Sequence, residues 1–327
     1  MKSDQSMRRI SCVISLLLAS LSVSAQEAYP SKPIRVVVPA APGGAQDFVV
    51  RVIGEKFQSS TGQPLVLENR GGASGIIGAE TVLRAAPDGY TLLAATIGVM
   101  SLNPHTFKRL PYDPAKSFVP VTQLINTNYL FLVHSSIPAT NLKEFVAWAK
   151  ASPGKISFGS SGVGTPSHFA GAMVGQSMGI ELLHVPYKGV APAFNDLLAG
   201  QVNTSVATVV SAKDHIRSGK LRVLAVASAR RVPALPEVPT FAELGYPNVI
   251  ATLWLGLVAP AGTPGAMVDK LHMEIAKALD HPDVREKLLA ADQEPVGSSP
   301  SQFAEFLKAD SERWRAAVKA SGFTAIE

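Results

Sequence analysis

Short β-rich apolar runs alternate with amphipathic helical patterns along most of this chain, and that alternation restricts the fold more than any other feature. PIRVVVP (33–39) reads as a buried strand. DFVVRVIGEKFQSS (47–60) reads as a helix with Phe48, Val49, Val52, Ile53 and Phe57 on one face. PLVLEN (64–69) and YTLLAAT (90–96) are strands, and GAETVLRAA (78–86) is a helix stopped by Pro87-Asp88-Gly89. A second round starts at YLFLVH (129–134). It continues through helix 141–152, strand 155–159, helix 167–179, strand 181–187, helix 191–200, strand 202–208, helix 210–219 and strand 221–228. Strands separated by helices need crossover connections, so the pattern predicts α/β architecture with parallel sheet. A proline-rich link at 230–247 leads to strand 252–260, and helices 264–280, 282–291 and 299–320 end the chain. Ser299 with Gln302 forms a capping box on the last helix, with Pro300 in its first turn.

Two such rounds, joined near residue 124 and again near 250, predict two α/β domains crossed twice by the chain. Domain 1 comprises 26–124 with 250–327, and domain 2 comprises 125–249. In open α/β sheets the ligand site lies beyond the carboxyl ends of the strands. A Gly-rich corner stands at such an end in each round: VVVPAAPGGAQDF (36–48) in the first and KISFGSSGVGTPSHFAG (155–171) in the second. The bare backbone of Pro42-Gly43-Gly44 lets a ligand approach closely, and the helix beginning near Asp47 points free N–H groups into the same space. The second corner has the same parts: Ser160, Ser161, Gly162, Gly164 and Thr165, then a helix carrying His168. Alone, a Pro-Gly-Gly corner is most often a tight turn and Asp47 a helix cap. Two matched corners facing each other suit a molecule with a carboxylate at one or both ends.

Other chemistries find little support. Gly72, Gly75 and Gly78 are spaced three apart, which is not the dinucleotide fingerprint, and that loop reads as cleft wall or packing. GSSG at 159–162 lacks the spacing of a nucleophile elbow. An exported serine hydrolase using Ser160 or Ser161 would need a base in reach, and His168 is the nearest in sequence. The seven histidines are scattered, with no pair at metal-ligand spacing, and His168 reads as a hydrogen bond holding its loop. No catalytic constellation, metal site or cofactor motif is expected.

The first residues read as an export leader. MKSDQSMRR is basic, ISCVISLLLASLSV is apolar, and VSA precedes a cut after Ala25. The only cysteine, Cys12, falls inside it, so the mature protein would have no thiol chemistry. Removing Lys2, Arg8, Arg9 and Asp4 lowers the formal charge from +5 to +3. That mild balance suits anionic small molecules, and the lack of a dense basic cluster argues against nucleic acid.

From about Tyr29 to the C-terminus the chain resembles the Bordetella-uptake-gene (Bug) family, the extracytoplasmic solute-binding receptors of tripartite tricarboxylate transporters. YPSKPIRVVVP, PGGAQD, ENRGGASGIIGAE, AAPDGYTLL, NPHTFKRLPYDP, HVPYKGVAPAFNDLLAGQV, SGKLRVLAVASARR and PALPEVPTFAELG carry the resemblance. It implies a two-domain periplasmic-binding-protein fold of type II, a Venus flytrap with the ligand in the interdomain cleft. It implies a non-enzymatic periplasmic receptor that captures a small organic acid, a mono- or dicarboxylate, and delivers it to membrane permease subunits; a sensor protein is the alternative partner. Carried over to this chain, the ligand contacts are Pro42, Gly43, Gly44, Ala45 and Gln46 on one side. Ser160, Ser161, Gly162, Gly164, Thr165 and His168 stand on the other, with Thr96 and Thr208 completing the walls. The chain departs from the family at Gln46, where members usually carry Thr, and at NRGGASG, where they carry NRPGAGG. The segment TVVSA (208–212) lacks the Asp or Asn that members often place there. Reduced polarity at that point would admit a more apolar acid, aromatic or long aliphatic.

Overall fold

The first apolar run forms β1 (Ile34–Val38), whose Ile34, Val36, Val37 and Val38 are all fully buried. Burying side chains of this size stabilises the fold by roughly 1.5–3 kcal/mol each. The computed structural model describes residues 29–40 and 42–327, so the leader expected at 1–25 and Cys12 lie outside the described residues. Helix α1 (Ala45–Thr61) crosses over to β2 (Leu65–Asn69), and α2 (Ile76–Leu83) leads to β3 (Thr91–Thr96). Both β2 and β3 pair with β1 in parallel, as the alternation predicts. Val49, Val52, Ile53 and Phe57 cover the sheet, whereas Phe48, expected on the same face, is 38% exposed. Phe48 lies in the first turn of α1, next to the corner and past the end of β1. Gly78 of α2 sits against Pro39, where an added Cβ would come within 2.8 Å of the ring, so part of the NRGGASG-to-α2 stretch serves close packing.

A five-residue π-turn, Gly98–Leu102, follows β3 and runs into α3 (Asn103–Thr106), and α4 (Pro114–Ser117) precedes the next strand. That strand, β4, spans Phe118–His134, far longer than the expected 129–134. Pro120 and the polar Thr122, Gln123, Asn126, Thr127 and Asn128 break the apolar pattern of its first half. Pairing with β9 (Thr252–Pro260) nevertheless holds that half in the sheet, through two register shifts. The junction expected at 124/125 therefore falls inside an unbroken strand.

The second round comprises α5 (Leu142–Lys150), β5 (Ser157–Ser160), α6 (Pro166–Met178), β6 (Leu183–Pro186), α7 (Val190–Leu198), β7 (Thr204–Thr208), α8 (Val209–Arg217) and β8 (Leu221–Val226). Asn141 caps α5 by accepting from the Glu144 N–H at 3.0 Å. Then come β9, α9 (Gly265–Leu279), α10 (Pro282–Ala290), the two-residue β10 (Glu294–Pro295) and α11 (Pro300–Ala320). The α11 capping box is complete, with Gln302 N–H on Ser299 Oγ and Ser299 N–H on Gln302 Oε1.

The strand order is β2-β1-β3-β9-β4-β7-β5-β6, with β8 and β10 also pairing to β4. Each outer half is parallel, and the antiparallel β9 and β4 join them. Along β4 the pairing with β9 extends to Asn128, and the pairing with β7 begins at Tyr129. One lobe therefore lies on each side of that point, in a two-lobed binding-protein fold. Helix α11 anchors across the junction: buried Asp310 accepts from Trp254 Nε1 at 2.8 Å and Trp314 Nε1 at 3.1 Å.

Candidate functional site

Strand directions decide what meets at the junction. β3 is antiparallel to β9, and β9 to β4, so β3 and β4 both run toward the second lobe. β7 is antiparallel to β4 and parallel to β5, so both run toward the first lobe. Thr96, ending β3, pairs with Leu255, which pairs with Ile125 of β4; Thr208, ending β7, pairs with Tyr129. The two strand ends are therefore separated by four positions of β4, about 13 Å. Both Gly-rich corners leave strands parallel to these, so both open toward the same gap.

At the first corner Gly44 is the N-cap of α1, with φ −80° and no side-chain cap. Pro42, Gly43, Gly44 and Ala45 are exposed. Asp47 is buried and acts as a brace: its carboxylate accepts from Gly43 N–H at 2.9 Å and from Asn69 Nδ2 at 2.8 Å. Asn69 also donates to Ala40 O, tying the corner to β2. The first N–H groups of α1 thus face outward without a protein partner from a capping side chain. Gln46 Oε1 is buried and has no hydrogen-bond partner among the described residues.

At the second corner the residues separate into two groups. Ser160 is 1% exposed, and its hydroxyl lies 2.6 Å from His184 Nε2 and accepts from Gly162 N–H. Gly164 N–H donates to His168 Nδ1 at 3.2 Å, the loop-holding bond expected of that residue. The His168 and His184 rings stack at 3.9 Å. Burial lowers the pKa of both, His184 to about 4 with a smaller contribution from His168, so both are neutral near pH 7. These two rings line a hollow with Phe158, Leu182 and Ser321, apart from the junction. Thr165 caps α6 and donates to Gly162 O at 2.7 Å.

Ser161 faces the other way. It joins Tyr129, Ser167, Ser205, Thr208 and Ser211 around a cavity of ≈ 100 Å³ at the junction. Val190, Ala193, Phe194, Val206, Ala207 and Leu253 complete the lining. Of the residues expected at the site, Ser161 and Thr208 meet in this cavity. Ser160 and His168 point into the loop's own scaffold. Thr96 and the first corner approach from the opposite lobe. Tyr129, Ser167, Phe194 and Ser211 were not legible as site residues; only Ser167, in the first turn of α6, carried a local signal.

Three helices start at this cavity. Ser167 is in the first turn of α6, Val190 opens α7, and Ser211 lies in the first turn of α8. The N-caps of α7 and α8, Gly189 and Thr208, make no side-chain cap bond. Helix starts attract anions, by roughly 0.3–1 kcal/mol each when exposed and more when partly buried. Tyr129 is 7% exposed, and its phenol makes no hydrogen bond within the described residues. Burial raises its pKa, so it is a neutral donor. Among the described residues Ser161 Oγ hydrogen-bonds only Ser167 Oγ, at 2.9 Å, and has no base; the serine that does meet an imidazole, Ser160 with His184, is buried at 1% exposure.

The profile of the tripartite tricarboxylate transporter family receptor matches residues 49–323. The chain is 33% identical to BugT of Bordetella pertussis over 97% of its own length and 98% of that protein. A Rhodopseudomonas palustris protein solved with adipate aligns at 32% identity and TM-score 0.76, covering 91% of this chain and all of the other. A second R. palustris protein, with bound malate, aligns at 33% identity and TM-score 0.71, covering 89% of this chain and all of the other.

Proposed function

The chain belongs to the tripartite tricarboxylate transporter receptor family, and on that premise we propose that it is a periplasmic receptor capturing a small organic carboxylate between its lobes. The observation that carries this reading is the junction cavity. Its hydroxyls and the starts of α6 and α7 supply anion-binding groups, and the exposed Gly44 corner supplies another from the other lobe, whereas the start of α8 already faces Asp292. The adipate and malate held by its relatives are acids of the same class.

The proposed contacts are the first corner (Pro42, Gly43, Gly44, Ala45, Gln46), Thr96, Ser161 and Thr208, joined by Tyr129, Ser167 and Ser211. Ser160, Gly162, Gly164, Thr165 and His168 serve by shaping the second corner. The lobes proposed are 26–124 with 250–327, and 125–249, a division supported by the change of pairing on β4 at Asn128/Tyr129. Capture involves no bond-making, and delivery is to permease subunits in the membrane, the partner the family name implies.

A thermal-shift screen of the purified protein against small organic acids tests the reading. An acid at 100 times its Kd should stabilise the folded form by about 2.7 kcal/mol. If no carboxylate in a broad panel shifts the melting temperature, the receptor function is wrong.

A further inference from the structure

The second corner turns on two glycines at positive φ, Gly162 at +144° and Gly164 at +77°. Glycine adds conformational freedom and no side-chain contact, so the loop depends on its partners for a single shape. Inside the loop, Thr165 Oγ1 donates to Gly162 O, and Ser161 N–H donates to Ser167 Oγ at 3.0 Å. Ser167 Oγ also lies 3.1 Å from Thr165 Oγ1. Ser161 and Ser167, which face the cavity, are therefore set by the turn between them.

Phe323, three residues past the end of α11, covers that turn from outside. Beyond its chain neighbours, a Cβ built on Gly164 would meet only the Phe323 ring within 4 Å, at 3.4 Å. The ring also stands edge-on to Phe169 of α6, with centroids 5.4 Å apart, and to His168 at 6.3 Å. Edge-on contact is a favoured aromatic geometry. His168 accepts from Gly164 N–H, so Phe323 lies against both partners of that bond.

The same segment is fastened elsewhere. Ile326 forms a parallel bridge with Phe107: its N–H donates to Thr106 O and its carbonyl accepts from Lys108 N–H, both at 2.8 Å. Glu327 pairs with Lys108. Residues 106–108 belong to the first proposed lobe, whereas Gly164, His168 and Phe169 belong to the second. Three residues of chain reach about 10 Å at most. Phe323 can rest on the second lobe only while the Ile326 anchor stays within that reach.

Resting on the receptor function and the lobes proposed above, we infer that Phe323 is a positioning residue for ligand capture. Tethered to the first lobe through Ile326, its ring holds the turn at 162–165 in the shape that presents Ser161 and Ser167 to the cavity.

Hydrogen exchange on the ligand-free full chain tests this, because the amides of Ser161, Gly162, Gly164 and His168 are all bonded within the loop. In Phe323→Ala these amides should exchange tenfold or more faster, over and above any change in the β7 amides of the same lobe. Phe323→Leu keeps most of the apolar bulk and should restore most of the protection. Equal acceleration in the corner and β7 would mean a general loss of packing, and no acceleration would mean no hold; either overturns the inference. Ile326→Pro deletes the N–H that reaches Thr106 O and leaves Phe323 in place. It should speed the corner amides at least threefold, and corner amides that ignore it overturn the tether. In the acid screen, adipate and malate included, an acid bound by the wild-type protein should bind Phe323→Ala at least fivefold more weakly. Equal affinity overturns the positioning role. Silence from every acid would instead remove the receptor function, and exchange would still decide whether Phe323 holds the loop.

Discussion

Tyr129 of β4 and Thr208 of β7 are directly paired, one residue past the point where β4 exchanges β9 for β7 as its partner. The pair puts a buried phenol and a helix-start hydroxyl side by side at the meeting place of the lobes. Because the phenol has no partner within the described residues, its value is to whatever enters the cavity.

Tyr129→Phe separates binding from folding at that position. The lost hydroxyl bonds nothing within the described residues, so the melting temperature should stay within a few degrees or rise. A hydrogen bond to a charged group is worth about 1.5–3 kcal/mol, so affinity for the acid should fall by roughly 10- to 100-fold. Calorimetry beside a melting curve checks both; unchanged affinity would remove Tyr129 from the site.

The two serines of the second corner should part company. Ser160→Ala deletes a buried hydroxyl that serves His184 and Gly162 N–H, and should destabilise the fold by about 1–3 kcal/mol. Ser161→Ala should leave stability nearly untouched while weakening acid binding. A fluorophosphonate probe should label neither, and stoichiometric labelling of one would point back to hydrolase chemistry.

Glycines at the first corner are not equivalent. Gly43 has φ +85° with open space around its Cβ position, so Gly43→Ala should cost about 1–2 kcal/mol from backbone strain alone. Gly44 has φ −80°, which any residue adopts, so Gly44→Val should fold and act only by crowding the helix start. A tenfold loss of affinity, about 1.4 kcal/mol, is expected. Wild-type affinity in a folded Gly44→Val protein would mean the corner is only a turn.

Asp292 should give the protein an acid-side stability gain. Burial is the main reason its pKa rises from the ordinary 3.8 to about 6, with Glu294 adding to it; the facing N–H groups of Val210 and Val209 and the Lys213 charge oppose the rise. Folding therefore favours the protonated acid. That contribution is complete below about pH 4 and is lost as pH rises through 6. Asp292→Asn should flatten the melting temperature across this window. At pH 7.5 it should stabilise by roughly 1 kcal/mol, discounted because the side chain is partly solvated. Asn also suits the φ of +56° at this position. A variant that melts lower at pH 7.5 would show the carboxylate to be a needed helix-start partner for α8 instead.

Local chemistry made much of this protein legible in one dimension. Hydrophobic periodicity and the Pro and Gly stops marked the parallel strands and their crossovers. Ser299 with Gln302 marked the start of α11, and the two Gly-rich corners marked the strand ends where a ligand belongs. All of these depend on residues within a few positions of one another, which is the range over which side-chain spacing and backbone angles speak directly. The rest depended on partners distant in sequence. The first half of β4 reads as polar and interrupted, and is a strand because β9, more than a hundred residues later, pairs with it. Ser160 and Ser161 are adjacent and chemically identical, yet the turn of the backbone gives one to His184 and the other to the cavity. Tyr129 looked like the first apolar residue of a core strand. It lines the junction cavity because the sheet changes partners beside it, and sheet pairing between remote segments is set by tertiary packing, which no local pattern encodes.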